Sequence, residues 1–409
     1  MFKSHLAALF TLSILLIASI NAVAQAGQLD PAFGKGGIVT TDFGNQINSN
    51  IATANAVTIQ TDGKILVAGG IPSNSGFPVA AVARYNTDGS LDASFGTSGF
   101  AITKSINALT AIALQTDGKI VVSAPAGVEL NVARYTTTGQ LDTSFGTNGI
   151  FNSGLNLDFD ENTNALVIQP DGKILIADGI LLRLLSNGQP DTGFGTNGTA
   201  KVAGSGATAL ALVSSGKILV ASANGLVSRY NSSGTLDTTF GVHGQLPSAG
   251  PANALLVLGT GEFLIGSSLT SSLSGPISGF AVFRYMGAGI SDGAFASHGG
   301  VVTAVPTFSS VATAALATQA SGDIVALGTA SARFNNEVFA LARYTPAGKL
   351  DPIFGSNGTV ATSFGTTFVN ATSIAIQADG NIIAVGSFIT DELHGEFDTG
   401  FKLVRYLGQ

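Results

Sequence analysis

The densest group of side chains able to do chemistry is the run Asp391-Glu392-Leu393-His394-Gly395-Glu396-Phe397-Asp398. Its carboxylates and single imidazole are the donor types that hold a divalent cation, but their spacing follows no established ligand pattern. A second acidic run, Asp158-Phe159-Asp160-Glu161-Asn162, starts like a calcium loop, with oxygen donors at alternate positions. It then departs, because Thr163 stands where the loop needs glycine and Gln169 where it needs the bidentate glutamate. Both runs read as solvated acidic loops. Asp158, Asp160, Glu161, Asp391, Glu392, His394, Glu396 and Asp398 are nevertheless the candidate binding residues, and calcium is the one cofactor they leave open.

Nucleophilic chemistry has little to stand on. The chain has no cysteine, which excludes thiol catalysis, disulfides and cysteine metal sites. A Gly-x-Ser-x-Gly string at 289–293 overlies a degraded turn signature rather than a strand-to-helix elbow, so it does not mark a hydrolase. His243 and His298 occupy equivalent positions in a repeated turn and read as turn residues. No acid and base are paired outside the two acidic runs, and no catalytic residue is assigned.

Seven of the eight arginines sit in an Arg-Tyr signature or its variant, and six of these are followed eight residues later by the aspartate of a turn. The pairs include Arg84 with Asp92, Arg134 with Asp142, Arg229 with Asp237, and Arg343 with Asp351. Arg405 has no following turn and is expected to reach back to Asp30. Such regularity marks structure, and bidentate, partly buried ion pairs are the expectation.

The elements that position these residues follow from the repeats. A Leu-Asp-x-x-Phe-Gly-x-x-Gly turn recurs seven times: at 29–37, 91–99, 141–149, 190–198, 236–244, 291–299 in degraded form, and 350–358. An Asp-Gly-Lys turn recurs around Gly63, Gly118, Gly172, Gly216, Gly261, Gly322 and Gly380, with drift in later copies. Between these marks lie apolar runs of strand length, such as Ala56-Val57-Thr58-Ile59 and Ile65-Leu66-Val67-Ala68, which read as hairpins. Four strands per unit in seven units predict an all-β fold, a seven-bladed β-propeller of four-stranded blades. A small residue six positions before each Asp-Gly turn, Ala56 to Ser373, marks the crowded innermost strand. The chain starts with an outer strand and ends with a third one, so the N-terminal strand is expected to pair with the C-terminal strands and close the ring.

These signatures resemble the delta-60 repeats of bacterial β-propellers, and the resemblance spans essentially the whole of 27–409. It implies the fold; it implies no activity or catalytic residue, since none is generally established for such repeats. Spacing from Arg to the following Phe is constant at 11 residues, whereas the connections from second to third and from fourth to first strands vary in length. Both variable connections emerge on one face, which is the expected functional face.

Residues 1–26 read as a signal peptide, with Lys3, an apolar stretch from Leu6 to Ile20, and cleavage after Ala24 or Ala26. Residues 27–409 then form a single propeller domain, secreted or periplasmic, not inserted in a membrane after cleavage. The net charge of −7 without any Lys/Arg run gives no footprint for nucleic acid. The expectation is a monomeric, non-catalytic extracytoplasmic binding or scaffold protein that presents its variable face to a carbohydrate, peptide or protein. The alternative is a polysaccharide-acting hydrolase or lyase with carboxylates at the channel mouth.

Overall fold

The computed structural model describes residues 25–46, 50–74, 76–126, 129–154, 165–204, 206–248, 250–268, 279–332, 336–365, 368–392 and 396–409. It contains seven antiparallel sheets of four strands, and no helix occurs among the described residues. In blade one the strands are Thr53–Ile59, Ile65–Ile71, Val79–Tyr85 and Phe100–Asn107, hydrogen-bonded in sequence order. Blade two runs over 111–152, blade three over 165–201, blade four over 207–247, blade five over 252–303 and blade six over 310–363. The first strands of successive blades pack against one another all the way around, the seventh against the first, so they form the inner wall of a closed ring.

The local chemistry explains the shape. Each Asp-Gly-Lys segment closes a tight hairpin: Gly63 takes a φ of 84°, Gly63 N donates to Gln60 O, and Asp62 Oδ1 accepts from Lys64 N at 3.1 Å. Second strands such as Ile65–Ile71 and third strands such as Val79–Tyr85 are buried along nearly their whole length. Blades stack face to face, so these middle strands cannot alternate and read as continuous apolar runs. Outer strands meet solvent on one side, and Phe100–Asn107 alternates accordingly. The phenylalanines of the turn signature, Phe33, Phe95, Phe145, Phe194, Phe240, Phe295 and Phe354, are all fully buried.

Blade seven is built from both ends of the chain. Its strands Phe368–Ile376, Ile382–Glu392 and Glu396–Tyr406 are completed by Ile38–Gln46, with Ile38 opposite Val404 and Thr41 opposite Phe401. The closure leaves no open sheet edge at the seam. The fold begins before residue 27: Ala26 is buried, and its carbonyl accepts a 2.8 Å hydrogen bond from Gly355 N. The same bond in blade one runs from Gly96 N to Thr138 O, so the Ala26 carbonyl takes the place of a repeat carbonyl at the seam.

Candidate functional site

The arginine of every unit is a three-way clasp. Arg84 Nε lies 2.8 Å from Asp92 Oδ2, its guanidinium stacks 4.4 Å above the Phe95 ring, and Nη1 donates to the carbonyl of Thr137 in the next blade at 2.6 Å. The corresponding Nε to Oδ2 distances are 2.9 Å for Arg134–Asp142, 2.8 Å for Arg183–Asp191 and 2.7 Å for Arg229–Asp237. They are 2.7 Å for Arg284–Asp292, 2.8 Å for Arg343–Asp351 and, across the seam, 2.8 Å for Arg405–Asp30. The forward carbonyls are those of Ser186, Ser232, Gly287, Pro346, Gly408 and Thr87 in turn, so the clasps point one way around the whole ring.

The expected bidentate fork is not what forms. Only one carboxylate oxygen takes the guanidinium, because the other is spent on the turn: Asp92 Oδ1 accepts from Ser94 N at 3.1 Å and from Ser94 Oγ at 2.6 Å. In blades one to four a lysine of the hairpin turn adds a second cation, as with Lys64 Nζ at 3.0 Å from Asp92 Oδ2. The hydrogen bond from Ser94, then that from Lys64 and the nearby Arg84, hold the Asp92 carboxyl well below the ordinary range against the opposing effect of burial. In Asp142 and Asp237 burial is the largest influence and acts upward, yet hydrogen bonds from Ser144 and Lys119, and from Lys217 and Thr239, outweigh it and leave both depressed. His243 and His298 sit in the same turns with φ of 53° and 61°, at the left-handed position that Gly36, Asn148, Asn197 and Asn357 fill elsewhere.

Of the acidic candidates, Asp158, Asp160, Glu161 and His394 lie outside the described residues. Asp391, Glu392 and Glu396 belong to a strand hairpin rather than a loop: Asp391 is opposite Phe397 and Glu392 opposite Glu396. Asp398 is half-buried and paired in register with Thr390 and, on the closing strand, with Asn45. The antiparallel pattern of the last two strands simply runs on to their tip, which the polar composition concealed. Among the described residues no group of three or more His, Cys, Asp and Glu is placed to hold a metal ion.

Two further features lie on the variable face. A cavity of about 370 Å³ opens between blades one and two, lined by Thr53, Asn55, Phe77, Asn107, Thr110 and Pro125 among others. Phe77 forms one side and is 68% exposed, while Phe280, Phe339 and Phe388, also near variable connections, are buried. The Asn55 amide is fixed by bonds to Leu109 O at 2.7 Å and Thr53 Oγ1 at 3.2 Å. The second feature is Asp178, fully buried at the tight connection between Ile174–Ala177 and Ile180–Leu184. Its Oδ1 accepts from Gly179 N at 2.9 Å, and its Oδ2 has no partner among the described residues. Burial pushes its carboxyl up to about 7, against the weaker downward pull of the Gly179 bond. The other blades put Gly69, Ala124, Ser222, Ser267, Gly328 or Gly386 there, so a lone Asp in an always-small column was the missed signal.

The family model described as "Domain of unknown function (DUF5122) beta-propeller" matches residues 60–95, 115–145, 169–194, 214–240 and 319–354, which places these stretches among β-propeller repeats. No curated protein matches the chain. Among solved structures, the chain is similar to a catalytically inactive virginiamycin B lyase from Staphylococcus aureus crystallised with quinupristin. That pair shares 13% identity with a TM-score of 0.50, over 90% of this chain and 99% of that one. It is also similar to U3-55K, at 7% identity and a TM-score of 0.51 over 89% and 98% of the two chains. The RRP9 WD40 repeats give 8% identity and a TM-score of 0.52 over 90% and 99%. At such identities the likeness concerns the fold alone.

Proposed function

We propose that this chain is a non-catalytic, extracytoplasmic binding propeller of the delta-60 repeat type, and that its variable face takes a carbohydrate in the cavity beside Phe77. The observation that carries the reading is the pairing of one exposed aromatic ring with side-chain amides and hydroxyls, among them the hydrogen-bonded Asn55, in a concave site. A sugar ring offers an apolar face to stack and a rim of hydroxyls to hydrogen-bond, and Phe77 with Asn55, Asn107, Thr53 and Thr110 presents the complementary set.

The test is a thermal-shift series on residues 25–409 with neutral oligosaccharides, in which a ligand at a hundredfold excess over its Kd stabilises by about 2.7 kcal/mol. A shift that disappears in Phe77→Ala and in Asn107→Ala supports the reading. No shift with any glycan overturns it. Release of reducing ends or unsaturated products from a glycan would favour the hydrolase or lyase alternative.

A further inference from the structure

In the cavity beside Phe77 the orientation of one side-chain amide is settled by its partners. The oxygen and nitrogen of an asparagine amide have nearly the same shape, and only the groups they meet tell them apart. A backbone carbonyl oxygen can only accept, so the Asn55 atom 2.7 Å from Leu109 O is the nitrogen, Nδ2. The second Nδ2 hydrogen goes to Thr53 Oγ1 at 3.2 Å. Both donors of the amide are therefore used inside the protein, and Oδ1, which has no partner among the described residues, is left as an acceptor on a cavity-lining side chain. Thr53 is in the opposite position. Its oxygen has received a hydrogen from Asn55, and its own hydroxyl hydrogen meets no acceptor among the described residues, so it is left to donate.

The repeat holds this orientation in place. At the equivalent position of blade five, Asn253 Nδ2 donates to Thr313 O and to Ser268 Oγ, both at 2.9 Å. Thr208 and Thr372 stand there in blades four and seven, and their hydroxyls donate to the equivalent carbonyls, those of Ala252 and Ala54. The column thus ties each first strand to the next, and an asparagine does so with its nitrogen while keeping its oxygen spare. In blade one that spare oxygen belongs to a cavity with an exposed phenyl ring, and no charged residue lines it. A hydroxyl group meets both needs, since it can donate to Asn55 Oδ1 and accept from Thr53 Oγ1. An ether or ester oxygen can only accept. A carboxylate has no hydrogen for Oδ1 and would leave water without a cation to meet it.

We infer that the cavity selects neutral sugars with unsubstituted hydroxyls beside the ring face that stacks on Phe77, hydroxyls that donate to Asn55 Oδ1 and accept from Thr53 Oγ1. The inference rests on the carbohydrate reading above and adds to it the class of sugar and the residue that sets the preference, Asn55.

The test is isothermal titration of the folded chain with linear tetramers of glucose, mannose and galactose, each beside its O-methylated form and the corresponding uronic acid tetramer. At least one neutral tetramer is expected to bind about tenfold or more tightly than both of its counterparts, the size of effect that an unmade hydrogen bond produces. Asn55→Thr puts in the residue type that makes the same carbonyl bond at Thr208 and Thr372. It is expected to keep the melting temperature, to weaken the neutral tetramer about tenfold and to shrink the preference over the O-methylated form. Asn253→Thr, the same change in blade five, is expected to leave binding as it is. Equal binding of free and O-methylated tetramers, tighter binding of the uronic form, or an equal loss in Asn253→Thr overturns the selectivity, and the carbohydrate reading then stands if Phe77→Ala still abolishes binding. No binding by any tetramer overturns both.

Discussion

Arg405 and Asp30 are 375 residues apart in sequence and 2.8 Å apart in space. Six like pairs each join residues eight positions apart, so the seam repeats the internal design with a chain break in it. Both seam residues are buried. Arg405→Gln leaves the Asp30 carboxylate without its cation and the Thr87 carbonyl without its donor, and is expected to cost about 3 kcal/mol in denaturant unfolding. The variant should expose the N-terminal strand to protease before any other segment. An Arg405→Gln protein as stable as the parent, with uniform cleavage, would show that the sheet pairing alone holds the seam.

The buried Ala26 marks where the cooperative unit starts. A protein beginning at Gln25 keeps the acceptor for Gly355 N; one beginning at Gly27 leaves that amide without its partner. The shorter form is expected to be less stable by about 1 to 3 kcal/mol. Equal unfolding midpoints would place Ala26 outside the cooperative unit.

Asp178 sets the pH dependence around neutrality. Its folded carboxyl titrates at about 7, whereas an unfolded aspartate does so near about 4. Between those values the unfolded chain has released a proton that the folded chain retains, so stability falls as pH rises and levels off above about 7. Asp178→Asn removes that slope, and its advantage over the parent should grow from pH 4 to pH 7. Parallel stability curves would mean that the carboxyl finds a partner in solution.

At the acid end the sign reverses. Asp92, Asp142 and Asp237 are depressed in the fold, so their stabilisation is full above the ordinary carboxylate range and is lost as pH falls below about 4. Unfolding below that range should be steep, and Asp142→Asn should make it shallower while lowering stability at neutral pH. An acid limb of unchanged slope would count against these pairs.

Ala296 occupies a left-handed position, with φ of 48°, where six units have glycine. A Cβ at the equivalent Gly96 would come within 2.0 Å of Phe100 O, so blade five tolerates a crowding the others avoid. Ala296→Gly is expected to stabilise by about 1 kcal/mol. Destabilisation would show that the alanine methyl packs usefully.

Much of the ring was legible because each repeat carries side-chain markers: Phe95 must be buried, Gly63 must turn, and Arg84 must find Asp92. The forward half of each clasp was not legible, since its acceptors are backbone carbonyls such as those of Thr137 and Gly408, which leave no residue signature. The same holds for the first strands, where Asn55 and Asn253 donate to Leu109 O and Thr313 O in the following blade. At the candidate sites, acidity drew attention to Asp391 and its neighbours, although strand pairing there runs to the tip. Phe77 was one phenylalanine among many until burial set it apart. Asp178 stands out only when the units are compared column by column, a comparison that marks departures from the repeat rather than residues rich in chemistry.

The shared seventh blade also imposes an order of events on synthesis. Ile38–Gln46 has no partner until Glu396–Tyr406, made after the six other blades, is available. A chain stalled or cut one blade short would display that strand as an unpaired edge, open to proteolysis or to pairing with another chain. Arrival of the strand Glu396–Tyr406 is thereby built into the fold as its own quality check.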